Sequence, residues 1–199
     1  MVSKIEEVIT LKETDYLTLY DLKYTNRLGQ KKSWSAVSRK KKADYEKRLF
    51  NKENKKDAVL IAAYHEKQDK LVLVKQFRVP INDYIYEIPA GLIDMGEDTA
   101  VCAKRELKEE TGLELKKIVK IQKNAFISPG MTDECADLAI VICDGKICYD
   151  YLEPDEDIEI VLCSKEELEK LINSGENLDI KTIMTINMFL YAKESYWNL

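Results

Sequence analysis

The segment that decides the fold is GLIDMGEDTAVCAKRELKEETGL, residues Gly91–Leu113. Asp98 is a favourable N-cap residue, and the residues that follow it are good helix formers. Gly112 can adopt the left-handed conformation that commonly ends a helix. The segment therefore predicts a helix over residues 99–111, preceded by a loop that begins at a glycine.

The predicted helix has an apolar face and an acidic one. The apolar face, which is expected to pack on a sheet, is formed by Ala100, Ala103 and Leu107. Three glutamates are expected to point away from it, namely Glu106, Glu109 and Glu110. Like charges three or four residues apart repel by roughly 0.2–0.5 kcal/mol per pair. A cation is therefore expected beside them.

Arg105 is one source of positive charge, because it can pair with Glu109 one turn later or with Glu97 before the helix. A single guanidinium group cannot neutralise the whole cluster, whereas a divalent metal ion can. Carboxylate oxygens favour Mg²⁺, with Mn²⁺ as a substitute, over Zn²⁺. The alternative is a solvated helix face on which Lys104 and Lys108 form ordinary surface pairs.

The order of the residues favours the metal site. Gly91, Glu97 and the run RELKEETGL from Arg105 to Leu113 fill every fixed position of the Nudix box. The chain therefore resembles the Nudix hydrolase family, and a match at so many positions is specific. The resemblance implies an α/β fold, a Nudix α/β/α sandwich with a mixed central sheet.

In the family that the chain resembles, the box holds divalent cations that polarise a diphosphate while water attacks phosphorus. The ligands that the resemblance implies are the backbone carbonyl of Ala90 and the carboxylates of Glu106, Glu109 and Glu110. Glu97 is expected to orient Arg105 and the remaining carboxylates. Gly91 is expected to form a turn and to leave room for close approach of the metal.

Residues on either side of the box narrow the substrate class. KQFRVPINDYIYEIPAGLID, residues Lys75–Asp94, is similar to the lead-in of ADP-ribose pyrophosphatases and related ADP-sugar hydrolases. In those enzymes the arginine that matches Arg78 reaches the substrate phosphates. Pro129 lies sixteen residues after Leu113, a distance that resembles the proline marker of the ADP-ribose-cleaving subgroup. Without that context, Arg78 is a surface residue and Pro129 a turn proline.

The N-terminal stretch DYLTLYDLKYTNRLGQKKSWSAVSR, residues Asp15–Arg39, predicts a β-hairpin and resembles the same subgroup. There, an aromatic residue from each of two strands sandwiches the adenine, and an arginine helps to fix it. The matching residues are Tyr16, Trp34 and Arg39. Aromatic faces and a guanidinium plane suit a purine. In this subgroup the hairpin crosses to a partner subunit, which implies a homodimer. The alternative is that both aromatic residues pack the hairpin on the core.

Similar enzymes take their general base from a late loop, here YLEPDEDIEI, residues Tyr151–Ile160. Glu156 aligns best with that base, and Glu153 is the alternate. A carboxylate near the attacking water can accept its proton. The alternative is that these acids only flank a strand in a solvated turn.

The remaining sequence predicts one hydrolase domain, residues 57–199, preceded by residues 1–56. The latter are expected to form the dimerising β-hairpin and a polar, lysine-rich connection. Apolar runs at 58–64 and 71–77 predict central strands covered on both faces. His65 follows the first run and is expected to be exposed.

Two helices are expected near the C-terminus. The first begins at Ser164, which stands at capping-box spacing from Glu167. The second is expected over residues 180–196.

Composition excludes several classes of function. A formal net charge of -5 gives no electrostatic reason to bind nucleic acid. The five cysteines are odd in number and widely spaced, which predicts no disulfide framework and favours a cytoplasmic location. The start, MVSKIEEVITL, lacks the apolar core of a signal peptide, and no uncharged run approaches the roughly 20 residues of a membrane helix. No membrane association is expected.

The resemblance thus implies metal-dependent hydrolysis of ADP-ribose, a small-molecule nucleoside diphosphate, to AMP and ribose 5-phosphate, with other ADP-sugars as further substrates. One alternative is a Nudix hydrolase of another nucleoside diphosphate sugar, such as GDP-mannose, or of a nucleoside triphosphate. A second is a non-catalytic sensor of ADP-ribose. Such sensors typically lose carboxylates of the box, whereas this box is complete.

Overall fold

The structure is a computed structural model that describes residues 3–53, 56–152 and 156–191. In these ranges there are ten strands, β1 (Lys4–Glu13), β2 (Thr18–Thr25), β3 (Lys31–Ser38), β4 (Ala58–His65), β5 (Lys70–Arg78), β6 (Asp83–Glu87), β7 (Ala90–Leu92), β8 (Glu114–Phe126), β9 (Cys135–Asp144) and β10 (Ile158–Cys163). The same ranges contain four α-helices, α1 (Lys42–Asn51), α2 (Thr99–Thr111), α3 (Lys165–Ile172) and α4 (Ile180–Tyr191). The predicted end of the last helix, residues 192–196, lies outside the described part of the chain.

The chain divides into two compact units. The N-terminal unit comprises Met1–Asp57 and Asn124–Ala136. The main unit comprises Ala58–Lys123 and Asp137–Leu199.

The N-terminal unit contains an antiparallel three-stranded sheet in the order β1-β2-β3. The predicted hairpin is its β2–β3 part, and the turn is closed by the backbone N–H of Asn26, which donates to Gln30 O at 2.9 Å. The sequence did not predict β1, because its charged residues mask a weak apolar alternation. Val8 is its one fully buried residue and joins a small core with Tyr20, Leu22, Ala36 and Tyr45.

The lysine-rich connection, expected to be irregular, contains helix α1. Only Tyr45 and Arg48 of this helix are buried. Arg48 forms an ion pair with Asp133 at 2.9 Å and lies over the ring of Phe126. The packed face of α1 consists mainly of one tyrosine and the aliphatic part of one arginine. The sequence therefore lacks the regular spacing of apolar residues by which a helix is recognised.

The main unit is built on a sheet in the order β10-β5-β4-β9-β8, with β6 paired to β5 and β7 paired to β4. The interiors of β4 and β5 are buried, as their continuous apolar runs predict. Helix α2 packs on β4 and β7 and adds Cys102, Ala103 and Leu107 to the core. The fold is α/β with a mixed central sheet.

Helix α3 begins at Ser164, as predicted. Its capping box is complete: the backbone N–H of Glu167 donates to Ser164 Oγ at 3.3 Å, and that of Ser164 donates to Glu167 Oε2 at 2.7 Å. Helix α3 contacts β10 and α4, and α4 also contacts β6.

The prediction that His65 is exposed is wrong. Its side chain is buried, with Nε2 at 3.2 Å from the carbonyl oxygen of Gly145. His65 is the last residue of β4, where it pairs with Lys70. The turn at Asp144 and Gly145 lies against its side chain and covers it. A strand end is exposed only where no neighbouring turn covers it.

The five cysteines are free thiols, and all but Cys148 are buried. Within residues 3–53, 56–152 and 156–191, no helix combines the length and the apolar character needed to cross a membrane.

Candidate active site

Helix α2 has the bounds that the sequence predicts. Asp98 Oδ1 accepts hydrogen bonds from the backbone N–H groups of Ala100 and Val101, at 2.8 and 2.9 Å. At the other end, Gly112 has a φ of 73° and donates its N–H to Lys108 O. A Cβ at Gly112 would also lie 2.5 Å from Cys148, so glycine is required by packing as well as by conformation.

Arg105 is the centre of an ion-pair network on this helix. Its guanidinium binds Glu97 through Nε at 3.1 Å and through Nη2 at 2.9 Å. Nη1 donates to Glu106 Oε1 at 2.8 Å and to Glu109 Oε2 at 2.9 Å. Arg105 thus pairs with both of its predicted partners at once. The hydrogen bonds from Arg105 lower the pKa of Glu97 to about 2.

Glu110 is buried, contrary to the expectation that it points away from the packed face. Its side chain is 5% exposed, and its Oε2 accepts the backbone N–H of Ala90 at 3.1 Å. The pKa of Glu110 is raised to about 8, chiefly by burial and in part by the charges of Glu106 and Glu156. Burial also raises the pKa of Glu106. Burial therefore disfavours the charged form of two carboxyl groups at this end of α2.

Gly91 leaves the space that Glu106 occupies. A Cβ on Gly91 would lie 1.8 Å from Glu106 Cδ and about 2 Å from both carboxylate oxygens. The carboxylate of Glu106 is thus pressed against the backbone of β7, next to the residue whose carbonyl is an expected metal ligand. Only glycine allows this approach.

These groups fit a hard divalent cation by their chemistry. Glu106, Glu109, Glu110 and the carbonyl of Ala90 offer oxygen donors. Burial raises the pKa of Glu106 and Glu110, and a bound cation would favour their charged forms. In the conformation of the described residues, no three His, Cys, Asp or Glu side chains are arranged as a metal-binding group. Arg105 holds Glu106 and Glu109, whereas Glu110 is bonded to Ala90, so the carboxylates are drawn to different partners.

Arg78 and Glu156 lie in the same unit as α2. Arg78 is the last residue of β5, and its Nε donates to Glu87 Oε2 at 2.6 Å. The charges of Arg78 and Glu156 both act on the pKa of Glu110, the first lowering it and the second raising it. Glu153, the alternate base, lies outside the described residues. The pairing of Arg78 with Glu87 was not predicted, because it depends on which residues of β5 and β6 face each other.

In the N-terminal unit, neither expected aromatic residue is packed in the core. Tyr16 is 81% exposed and Trp34 is 51% exposed. Tyr16 lies in the bend before β2 rather than in a strand, which corrects the expectation that each aromatic comes from a strand. The bend forms because Thr14 Oγ1 bonds to both backbone groups of Leu17.

Trp34 and Arg39 both bond to the segment that contains Pro129, the predicted subgroup marker. Trp34 Nε1 donates to Gly130 O at 3.1 Å, and Arg39 Nε donates to Glu134 Oε1 at 3.0 Å. Pro129 is exposed in the turn that precedes Gly130. The segment from Pro129 to Glu134 is therefore joined to the end of β3 by two side chains that the sequence singled out.

The family model described as NUDIX domain matches residues 54–182, more than half of the chain. The chain belongs to the Nudix hydrolase family. Hydrolases of this family generally use divalent metal ions, in agreement with the oxygen donors on α2.

Two relatives of this Nudix chain are named ADP-ribose pyrophosphatase. One, from Saccharomyces cerevisiae, is 32% identical over 205 residues, covering 96% of this chain and 86% of the relative. The other, from Bacillus subtilis, is 38% identical over 130 residues, covering 64% and 69%. A GDP-mannose pyrophosphatase from Yersinia pestis is 32% identical over 134 residues, covering 63% and 67%.

A crystal structure of an ADP compounds hydrolase has the same fold. Its TM-score with this chain is 0.69 at 20% sequence identity, with 94% of this chain and 91% of that chain covered.

Proposed function

We propose that this Nudix hydrolase cleaves the diphosphate of ADP-ribose to give AMP and ribose 5-phosphate, using Mg²⁺ or Mn²⁺. The observation that carries the proposal is the complete box folded as one capped helix, with Glu106 against Gly91 and Glu110 buried at Ala90. The similarity to two ADP-ribose pyrophosphatases, one along 96% of this chain, supports the substrate.

The residues that would hold the ion are Ala90, through its carbonyl, and Glu106, Glu109 and Glu110. When bound, the ion supplies Lewis-acid polarisation of the phosphoryl oxygens and offsets their charge. Arg105 keeps Glu106 and Glu109 in place, and Glu97 keeps Arg105 in place.

Two further side chains of the main unit have proposed roles in the reaction. Glu156 accepts the proton of the attacking water, and Glu153 is the alternate for this role. The support for Glu156 is that its charge raises the pKa of both Glu106 and Glu110. Arg78 binds the phosphates of the substrate. Its guanidinium is anchored at Nε by Glu87, and its side chain is 46% exposed.

We further propose that Tyr16 and Trp34 stack on the adenine and that Arg39, with Pro129 nearby, completes the site. The exposure of Tyr16 and Trp34 supports this proposal, because an aromatic ring that is open to solvent can stack on a purine. Residues 1–56 would serve as the dimerising element of a homodimer, and residues 57–199 as the hydrolase domain. The five free thiols favour a reducing compartment such as the cytoplasm.

Hydrolysis of GDP-mannose is the alternative that a specific observation favours, namely the 32% identity to a GDP-mannose pyrophosphatase. The metal ligands proposed on α2 suit either substrate, because they act on the diphosphate and not on the base. The choice therefore depends on residues outside the box.

A substrate panel tests the proposal. Purified protein with Mg²⁺ is given ADP-ribose, ADP-glucose, GDP-mannose and dATP, and the products are identified by mass. We expect AMP and ribose 5-phosphate from ADP-ribose to form at the highest kcat/KM. Faster cleavage of GDP-mannose would establish the alternative, and no cleavage of any member would favour a binding protein.

A further inference from the structure

Two aromatic residues of the β5–β6 hairpin hold the residue that precedes β10. Tyr84 Oη donates a hydrogen bond to Asp157 Oδ2 at 2.5 Å, and the backbone N–H of Phe77 donates to Asp157 O at 3.1 Å. Phe77 and Tyr84 are cross-strand partners whose rings meet edge to face, with centroids 5.5 Å apart. Asp157 is therefore held by its backbone and by its side chain at once.

The strand register determines where the neighbouring residue points. In the β5–β10 ladder, Ile158 lies opposite Gln76. The bond between Phe77 and Asp157 extends this register by one residue, so that Glu156 comes opposite Arg78. Side chains alternate between the two faces of an extended strand. With Asp157 held on the side of Tyr84, Glu156 is directed to the other side.

The other side is the one on which α2 packs. Val72 and Leu162 are cross-strand partners of β5 and β10 that pack with Cys102, Ala103 and Leu107 of α2. They lie an even number of residues from Arg78 and Glu156, so Arg78 and Glu156 lie on the face of the sheet that α2 covers. The contact between Tyr84 and Asp157 lies outside this group.

The hydrogen bond between a phenol and a carboxylate is charge-assisted and stronger than a neutral one. Tyr84 is 40% exposed, and its hydroxyl donates to Asp157. Because Glu156 is one residue from Asp157, loss of this bond loosens the backbone that aims the Glu156 carboxylate, although the bond from the Phe77 N–H remains.

We propose that Tyr84 is a positioning residue: through Asp157 it keeps Glu156 aimed at the carboxylates of α2. The inference rests on the proposed function, in which Glu156 accepts the proton of the attacking water. Tyr84 acts only through Asp157 and is not itself a catalytic residue.

Tyr84→Phe tests the inference, because it removes one hydroxyl and keeps the ring that packs on Phe77. We expect kcat for ADP-ribose to fall about tenfold, since a small misplacement of a catalytic group is costly. KM should stay within about twofold, because substrate binding does not depend on the base. The thermal midpoint should be that of the wild type.

Variants of Asp157 separate positioning from general damage. Asp157→Ala should reproduce the loss in kcat. Asp157→Asn should keep most of the wild-type kcat, because the amide oxygen still accepts the hydrogen bond from the Tyr84 hydroxyl. The double variant Tyr84→Phe with Asp157→Ala should lose no more than either single variant. The matched control is Tyr64→Phe, which removes a tyrosine–aspartate bond to Asp69 of 3.0 Å at another turn of the same unit.

The inference is overturned if Tyr84→Phe keeps the kcat of the wild type, or if Tyr64→Phe lowers kcat equally. Failure of the proposed function is seen separately, in the wild type, as absence of AMP release from ADP-ribose. In that case the same variants are compared on the diphosphate that the wild type does cleave.

Discussion

Glu110 lies seven residues after Ala103 and three after Leu107, so helical periodicity alone places it on the packed face of α2. Its charge argued for the opposite face, and the structure follows the periodicity. The cap at Asp98, the end at Gly112 and both partners of Arg105 could be read from sequence, because each depends on neighbours along the chain. The contact of Glu110 with Ala90 could not, since it joins a helix to a strand twenty residues earlier.

Gly91→Ala should displace Glu106, because the new methyl group would lie 1.8 Å from its carboxyl carbon. We expect ADP-ribose turnover to fall by about 100-fold, the cost of moving a reactive group by about 1 Å, together with a lower thermal midpoint. Adding Glu106→Asp shortens the clashing side chain and should restore the thermal midpoint but not the activity. Wild-type turnover in Gly91→Ala would show that Glu106 does not need its place against β7.

Glu97 should make stability depend on pH at the acid end. Its pKa is lowered to about 2 by Arg105, from an ordinary value of 4.5. The stabilisation is therefore fully present above pH 4.5 and is lost as the pH falls towards 2. Glu97→Gln should be less stable than the wild type at pH 6, with a difference that shrinks below pH 4.5 in urea titrations. A difference that is constant from pH 6 to pH 3 would contradict this assignment.

At the scale of elements, strands and helices with a strong apolar period were predictable and those with a masked period were not. Strands β4 and β5 and helix α2 follow directly from their apolar residues. Strand β1 and helix α1 did not, because charged residues fill most of their exposed positions. Their burial depends on partners from distant parts of the chain, such as the pairing of Arg48 with Asp133.

Arg48→Ala should destabilise the N-terminal unit. The pair with Asp133 is 5% and 9% exposed, and its loss would leave a buried carboxylate with Lys40 as its remaining cation. We expect a loss of about 3 kcal/mol in the free energy of unfolding, the low end for a broken buried pair because Lys40 remains, and faster hydrogen exchange in α1.

The control for Arg48→Ala is Lys42→Ala on the same helix, whose pair with Glu46 is exposed and 3.8 Å long. It should change stability by less than about 0.5 kcal/mol. Equal effects of the two substitutions would show that the buried pair contributes no more to stability than the exposed one.

Within the whole molecule, the residues of helix α2 are enough to identify the family, but they do not identify the substrate. The box is a local sequence pattern, and in the structure it forms the capped helix α2, which contacts β7. The residues proposed to bind the adenine, Tyr16, Trp34 and Arg39, lie in a bend, in β3 and directly after β3. No local pattern fixes how such separate segments meet a ligand, so the adenine site stays a prediction.

Trp34→Ala should raise KM for ADP-ribose by about 5- to 100-fold, the range expected for loss of one stacked base, and leave the thermal midpoint unchanged because Trp34 is half exposed. Leu28→Ala is the control, since Leu28 is an exposed apolar residue of the same hairpin, 70% exposed. An unchanged KM in Trp34→Ala would remove the adenine role from this residue.

Mg²⁺-dependent release of AMP from ADP-ribose, compared between the wild type and Glu110→Gln, tests whether the carboxylates of α2 hold the metal ion. We expect turnover of the folded variant to be at least about 100-fold lower. Because burial raises the pKa of Glu110 to about 8, the metal-free Gln variant should also be the more stable protein at pH 8, where the wild type carries a buried charge. Glu114→Gln, an exposed glutamate three residues after the helix end, should behave as the wild type. Turnover near the wild-type rate in Glu110→Gln would contradict the assignment of the metal site to α2.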